Sequence, residues 1–328
     1  MINWAAEALS EIDRGEPVAL VTVIAAEGST PREAGARMLV GPNRLVGTIG
    51  GGNLEHQAMR QARAMLGQDA RAYAVQDYPL GPLLSQCCGG HVRLLLEKLD
   101  RGSVSWLEEV RTHLEQGSAF ALEARFSADR LDRRLMQIET EWPGALEPAR
   151  LVGADGQPRE GRRPKPSEGD ALIEKVDARR PTLMLFGAGH VGQAVARVFR
   201  TLDFRIEWFD SRPEASEADA TVAVHDEARL IELAAQAGPD DFVLILTHNH
   251  ELDYRLTEAA LKAGPRYCGL IGSKTKRARF ERRLAEADVA TQGLTCPIGI
   301  ASLKSKAPEV IAVAVAAELL EIVERGRA

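Results

Sequence analysis

The chain has 328 residues, 45% hydrophobic and 27% charged, which is the usage of a folded protein with room for two cores and excludes a disordered one. Its formal net charge of −6 removes any general attraction to phosphate backbones or anionic lipid, so neither nucleic acid nor a membrane is expected as a partner. The four cysteines, at 87, 88, 268 and 296, show neither a disulfide-framework spacing nor a C-x-x-C pair for zinc; no metal site is read from them, and a reducing cytoplasm suits them.

The opening MINWAAEALSEIDRGEP carries apolar residues at helical spacing, interrupted by acids, and lacks the basic start and apolar core of a signal peptide. A buried strand over PVALVTVIAA follows. ARMLV, LVGTIG, RAYAV, HVRLLLE, FALEARF, RLMQIE and ALIEKV read as further strands, and LEHQAMRQARAML and VSWLEEVRTHLEQ as helices. The pattern predicts a separate N-terminal α+β domain over residues 1–178. Within it, Gly50, Gly51 and Gly52 join an apolar strand to a helix. Three glycines there either expose backbone N–H groups to a phosphate or other oxyanion, or make a tight turn with no ligand. Glu55 either orients such a ligand or caps the helix. Gln86-Cys87-Cys88-Gly89-Gly90 precedes the next strand, and its thiols are either small packing residues or part of a bare loop where a thiolate meets a ligand. Between Trp142 and Asp170, EPARLVGADGQPREGRRPKPSEGD has no periodicity and reads as an exposed loop or linker.

From residue 179 to 328 the segments TLMLFG, RIEWFD, TVAVHD, DFVLILTH and RYCGLIG alternate with helical stretches beginning at His190, Ala228, Glu251 and Ser273. Such alternation predicts an α/β domain with a Rossmann-type parallel sheet. TLMLF runs into Gly187-Ala188-Gly189-His190-Val191-Gly192 and then into a helix, the strand–turn–helix setting that makes G-x-G-x-x-G informative. Gly187 permits the turn, Gly189 lets a pyrophosphate approach, and Gly192 lets helix and strand pack closely. Asp210, ending the next strand, sits where an acid binds a ribose diol, and Arg212 leaves NAD against NADP open. The alternative is a glycine turn that binds nothing. Thr247-His248-Asn249-His250 follows the fourth strand at the edge where parallel sheets bind ligands; these side chains line a site or merely cap the next helix, as Asn249 can. Lys274, with Lys276 and Arg277, stands at a helix start that favours an anion, or on a solvated helix face. VIAVAVAAELLEIV near the C-terminus is too short for a membrane span, contains two glutamates, and reads as a buried helix.

Taken in order, EGSTPREAGARMLV, LVGTIGGGNLEHQA, QCCGGHVRLLLE, LFGAGHVG, THNHELD, GLIGSKTKRARF and LTCPIG followed by APEVIAVAVAAELL resemble the XdhC/CoxI family of xanthine dehydrogenase accessory proteins, over nearly the whole chain. One departure is IASLKSKAPE, where Ser302 and Ser305 stand at positions more often glycine in that family. The resemblance implies a chaperone for cofactor maturation rather than a metabolic enzyme. Its cargo is the molybdenum cofactor, an anionic molybdopterin, bound while a cysteine desulfurase helps install a terminal sulfido ligand. It is then inserted into xanthine dehydrogenase or a related molybdenum hydroxylase. On that reading Gly50 to Gly52 supply N–H groups to oxyanions, and Cys87 and Cys88 supply sulfur to a soft molybdenum centre or a sulfur relay. A homodimer is implied as well. The rival readings are an NAD(P)-dependent oxidoreductase, with His248 or His250 exchanging a proton, and a nucleotide-responsive regulator that needs only the Rossmann half.

Overall fold

A computed structural model describes residues 3–67, 72–81, 89–136, 149–160 and 164–325, the side chain of Asp177 excepted. The chain divides into two compact units, Met1–Arg179 and Arg180–Ala328. Among the described residues no helix is long and apolar enough to cross a membrane.

The first unit is built on two antiparallel sheets. Strands β1 (Val18–Glu27), β2 (Arg37–Val40), β3 (Leu45–Gly47), β4 (Tyr73–Pro79) and β5 (His91–Leu99) form one in the order β3-β2-β1-β5-β4. Strands β6 (Ala119–Phe126), β7 (Leu131–Met136), β8 (Ala149–Val152) and β9 (Ala171–Asp177) form the other in the order β7-β6-β9-β8. Helix α1 (Trp4–Asp13) is amphipathic as its spacing predicts: Ala5, Ala8, Leu9 and Ile12 are buried. They pack with Trp106, Leu107 and Val110 of α3 (Val104–Gln116) and with Leu20 and Phe120 from the sheets. On α2 (Gly52–Leu66), Leu54, Ala58, Ala62 and Met65 repeat at intervals of three and four and are buried against Val21, Val23, Leu94 and Leu96. Burying a side chain such as Leu54 contributes about 1.5–3 kcal/mol.

The segment before Asp170 is not all exposed loop. β8 lies within that segment and pairs with β9, and Leu151 is buried. Arg159 donates to the Asp170 carboxylate at 2.6 Å and the Ser167 amide donates to it at 2.9 Å, fastening the loop that leads into β9. A four-residue strand surrounded by glycine and charge has no periodicity long enough to read.

One cluster of four charges lies between the strands of this unit. Arg133 on β7 donates to Glu97 on β5 (2.8 Å) and Glu174 on β9 (3.0 Å), and Arg37 on β2 donates to Glu174 (2.7 Å). Arg133 and Glu174 are each 1% exposed at the side chain. The guanidinium of Arg133 lies over the Trp106 ring, and that of Arg37 over Trp4. Burial works against the charge on Arg133, but its two glutamates hold its pKa above the ordinary value.

The second unit is a single six-stranded parallel sheet in the order β12-β11-β10-β13-β14-β15. Its strands are β10 (Thr182–Phe186), β11 (Arg205–Asp210), β12 (Val222–Val224), β13 (Phe242–Ile245), β14 (Tyr267–Leu270) and β15 (Leu294–Thr295). Helices α4 (His190–Phe199), α6 (Glu227–Ala234), α7 (His250–Ala263) and α8 (Lys274–Glu286) start within one residue of the expected positions; the short α5 (Glu214–Ala218) and β15 are additional. The strands are apolar on both faces because each face is covered: β10, for example, sends Leu183 and Leu185 into one cluster and Met184 and Phe186 into the other. Helix α9 (Pro308–Arg325) is packed into the first of these through Ala312, Val315, Leu319 and Val323, so the apolar C-terminal run is a core helix.

Candidate functional site

In the second unit the strand order reverses between β10 and β13, the place where open parallel sheets carry ligands beyond their strand ends. The glycine turn stands there. Gly187 has φ +116°, and a Cβ on it would lie 2.4 Å from the carbonyl oxygen of Leu246 at the end of β13. A Cβ on Gly192 would lie 2.1 Å from the oxygen of Gly187, so this glycine is required for helix and turn to touch. Gly189 differs, because a Cβ there would meet nothing within 4 Å. The protein's own packing does not require it, and it leaves open space beside an α4 N-terminus with no side-chain cap, a kind of place that favours an anion.

Asp210 is 3% exposed and its carboxylate is fully engaged. Oδ2 accepts from the Ala188 amide (2.6 Å) and Arg212 Nη2 (2.9 Å), while Oδ1 accepts from the Arg212 amide and Nε, both at 2.9 Å. Burial raises the pKa of this acid, but the hydrogen bonds from Arg212 and Ala188 outweigh it and hold the group below the ordinary value. The four lone-pair positions of a carboxylate are thereby filled. Asp210 as seen braces the glycine turn, and a ribose diol reaches it only if Arg212 leaves. The turn is thus open at Gly189 and closed at Asp210.

At the end of β13, Asn249 caps α7 by accepting from the Glu251 and Leu252 amides, as residue type suggested. His190, His248 and His250 are exposed. The motif has a buried anchor that sequence reasoning missed. Asp253, 1% exposed, accepts from Thr247 Oγ1 (2.7 Å) and from Lys276 Nζ (2.5 Å), tying β13 to α8. Lys276 also donates to the Ile271 carbonyl, so it is committed to structure, whereas Lys274 is exposed at the start of α8, which Ser273 caps. The signal available beforehand was an Asp and a Lys in the first turns of two helices that follow adjacent strands of a parallel sheet.

In the first unit three loops meet beyond the ends of β1, β3 and β5. Gly50 has φ +120°, and a Cβ there would lie 2.5 Å from Pro31. A Cβ on Gly90 would lie 2.4 Å from the Ser29 carbonyl oxygen, so the backbone after the thiol pair passes against the Glu27–Ser29 turn with no room for a side chain. Two of the N–H groups expected to face an oxyanion, those of Gly50 and Gly51, are already engaged. Glu55 Oε2 accepts from Thr48 Oγ1 (2.6 Å), Gly51 N–H (3.1 Å) and Ile49 N–H (3.2 Å), and Gly50 N–H donates to Thr48 Oγ1. Glu55 thus acts as the turn's internal anion; a Cβ on Gly51 would meet nothing within 4 Å, leaving one open side. Gly52 has φ +64° and opens α2.

Cys87 and Cys88 lie outside the described residues. Cys268 and Cys296 are buried, and burial pushes the Cys268 thiol up to about 12 and raises that of Cys296. Neither is an accessible thiolate. No group of three or more metal-ligating side chains is found among the described residues.

Residues 183–319 match the family model described as the XdhC Rossmann domain, and residues 11–79 that of the XdhC and CoxI family. Among curated proteins the chain is 24% identical to an uncharacterised Escherichia coli protein, YqeB, over 98% of its own length but only 46% of that relative's. It is 25% identical to a Bacillus subtilis protein named as a probable xanthine dehydrogenase subunit, over 94% of both chains. It is 26% identical to the E. coli molybdenum cofactor insertion chaperone PaoD, over 98% of this chain and 87% of that one. A solved structure described as a xanthine dehydrogenase from Bacillus halodurans superposes with a TM-score of 0.76 at 22% identity, covering 99% of this chain and 96% of that one, a likeness of fold.

Proposed function

The chain belongs to the XdhC and CoxI family, and on that premise we propose that it is an accessory protein for maturation of molybdenum enzymes. It binds the molybdenum cofactor as cargo, supports its sulfuration with a cysteine desulfurase, and inserts it into xanthine dehydrogenase or a related molybdenum hydroxylase. The observation that carries this reading is the convergence in the first unit of the Glu27–Ser29, Thr48–Gly52 and Gly89–Gly90 segments, directly after Cys87 and Cys88 in sequence. Backbone packed without side chains leaves close approach to amide groups, and the neighbouring thiols supply a soft ligand. An anionic pterin competes there with Glu55, which holds the turn in shape until cargo arrives.

The glycine turn of the second unit favours a further reading: a nucleotide bound over Gly189 regulates delivery. NAD, NADP or another nucleotide engages it through phosphate, with Arg212 free to leave Asp210 for a ribose phosphate. A hydride-transfer enzyme would additionally need His248 or His250 to work as an acid–base group, and both are exposed.

The test is to purify the chain from cells competent in molybdenum cofactor synthesis and quantify bound pterin by oxidation to its fluorescent form. Near-stoichiometric pterin, transferable to an apo-hydroxylase with recovery of its activity, is expected. A pterin-free protein that instead turns over a metabolite with NAD(P) would sink the accessory reading.

A further inference from the structure

Six of the thirteen residues of α8 are basic, in a chain whose net charge is −6. Three of them are used internally: Lys276 on Asp253, Arg277 on Glu281, and Arg283 on Glu251. The other three, Lys274, Arg279 and Arg282, are exposed. At about 100° per residue they share one arc of the helix, opposite the buried Phe280 and Leu284. Among the described residues none of the three, nor the exposed Arg255 on α7, holds an ion pair.

The two helices form one electrostatic surface. Arg283 lies 3.6 Å from the centre of the Tyr254 ring on α7 and grips the Glu251 carboxylate with both terminal nitrogens at 2.9 Å. That carboxyl is held below its ordinary pKa first by Arg283 and then by the charges of Arg255 and Arg279. One carboxylate thus faces three guanidinium groups and leaves positive charge over. The exposed groups are mostly arginines, whose planar forks suit carboxylates, and Glu251 is already bound in that manner.

We propose that this outer face of α7 and α8 docks an acidic surface of a partner protein. Charge complementarity sets the occupant: the bound Glu251 displays the chemistry that the remaining arginines offer to a second carboxylate. A single-stranded nucleic acid would draw on exposed rings to stack on, and Tyr254 and Phe280 are buried. A membrane would need apolar side chains beside the charges, and the exposed large hydrophobics, Leu45, Ile300, Leu303 and Val313, are on neither helix. The face is independent of the pterin reading, which concerns the first unit.

The test titrates the full chain with a fluorescent peptide rich in Asp and Glu, a thymidine oligonucleotide and phosphatidylserine vesicles, at several salt concentrations. Reversing charge with Arg279→Glu and Arg282→Glu together is expected to weaken peptide binding more than about tenfold, and salt to weaken it in the native chain. Lys304→Glu with Lys306→Glu alters net charge equally at another site and should change it less than about twofold. If the reversed chain melts early, Arg279→Gln with Arg282→Gln gives the same comparison at a milder charge change. Equal losses in both double variants, no binding to the native chain, or tighter binding of oligonucleotide or vesicles than of peptide overturns the proposal.

Discussion

Replacing Asp210 separates a brace from a ribose ligand. In Asp210→Ala the Ala188 amide, on a residue 5% exposed, loses its acceptor, and an unsatisfied buried donor costs about 1–3 kcal/mol. Loss of the pair with Arg212, which is 40% exposed, adds at most about 1 kcal/mol after solvent screening. A total of about 1–4 kcal/mol corresponds to a fall of about 2–16 °C in the melting of a unit this size. The indole N–H of Trp208, which donates to the Gly187 carbonyl at 3.1 Å, reports the same turn, and its NMR resonance should shift with the variant. The counterpart is Arg212→Ala, which frees two acceptor positions on Asp210. If the turn accepts a dinucleotide, this change should tighten NAD binding by about 10–100-fold, the worth of about 1.5–3 kcal/mol of hydrogen bonding to a charged group. Calorimetric titration and scanning calorimetry on both variants decide the matter. An Asp210→Ala chain that melts like the native protein, keeps its Trp208 resonance and loses only NAD affinity would refute the brace.

Three other outcomes are expected. Arg133→Met should destabilise the first unit by about 3–5 kcal/mol, read by chemical denaturation, because Glu97 and Glu174 are left buried without their shared partner. Cys87→Ser with Cys88→Ser should leave the melting temperature near the native value while pterin retention or sulfuration of the client falls; a stable variant that activates its client fully would exclude a sulfur role, and a destabilised one would assign the pair to packing. The second unit should lose stability on acidification from about pH 4 to about pH 2, followed by circular dichroism. Thr221 and Arg200 hold Asp219 at about 2, and Asp210 is also depressed, so both contribute above the ordinary carboxylate value of 3.8 and cease to as the pH falls through their folded values.

The parallel sheet was legible because its strands are short apolar runs punctuated by glycine and by helix caps such as Ser273 and Asn249, all local signals. The Gly187–Gly192 turn was readable for the same reason. What Asp210 does there was not, because an arginine two residues on fits a 2′-phosphate ligand and an internal clamp equally well until its fork is seen closed on the carboxylate. Glu55 was read as either ligand-orienting or capping, and the structure gives it the turn's own amides. The role of Asp253 is not legible locally because its partner is 23 residues away, in the first turn of the next helix. β8 was hidden by the charged segment around it.

The quartet of Arg37, Glu97, Arg133 and Glu174 also constrains how this sequence can drift. The two arginines balance the two glutamates, so any single exchange leaves a net charge between the sheets, whereas exchanging all four for apolar residues of like volume leaves none. Single steps away pass through a deep valley, so the four positions are inherited together as one character. Descendants of this protein are expected to carry all four charges or none, and a homologue with three would mark the site of a compensating change nearby.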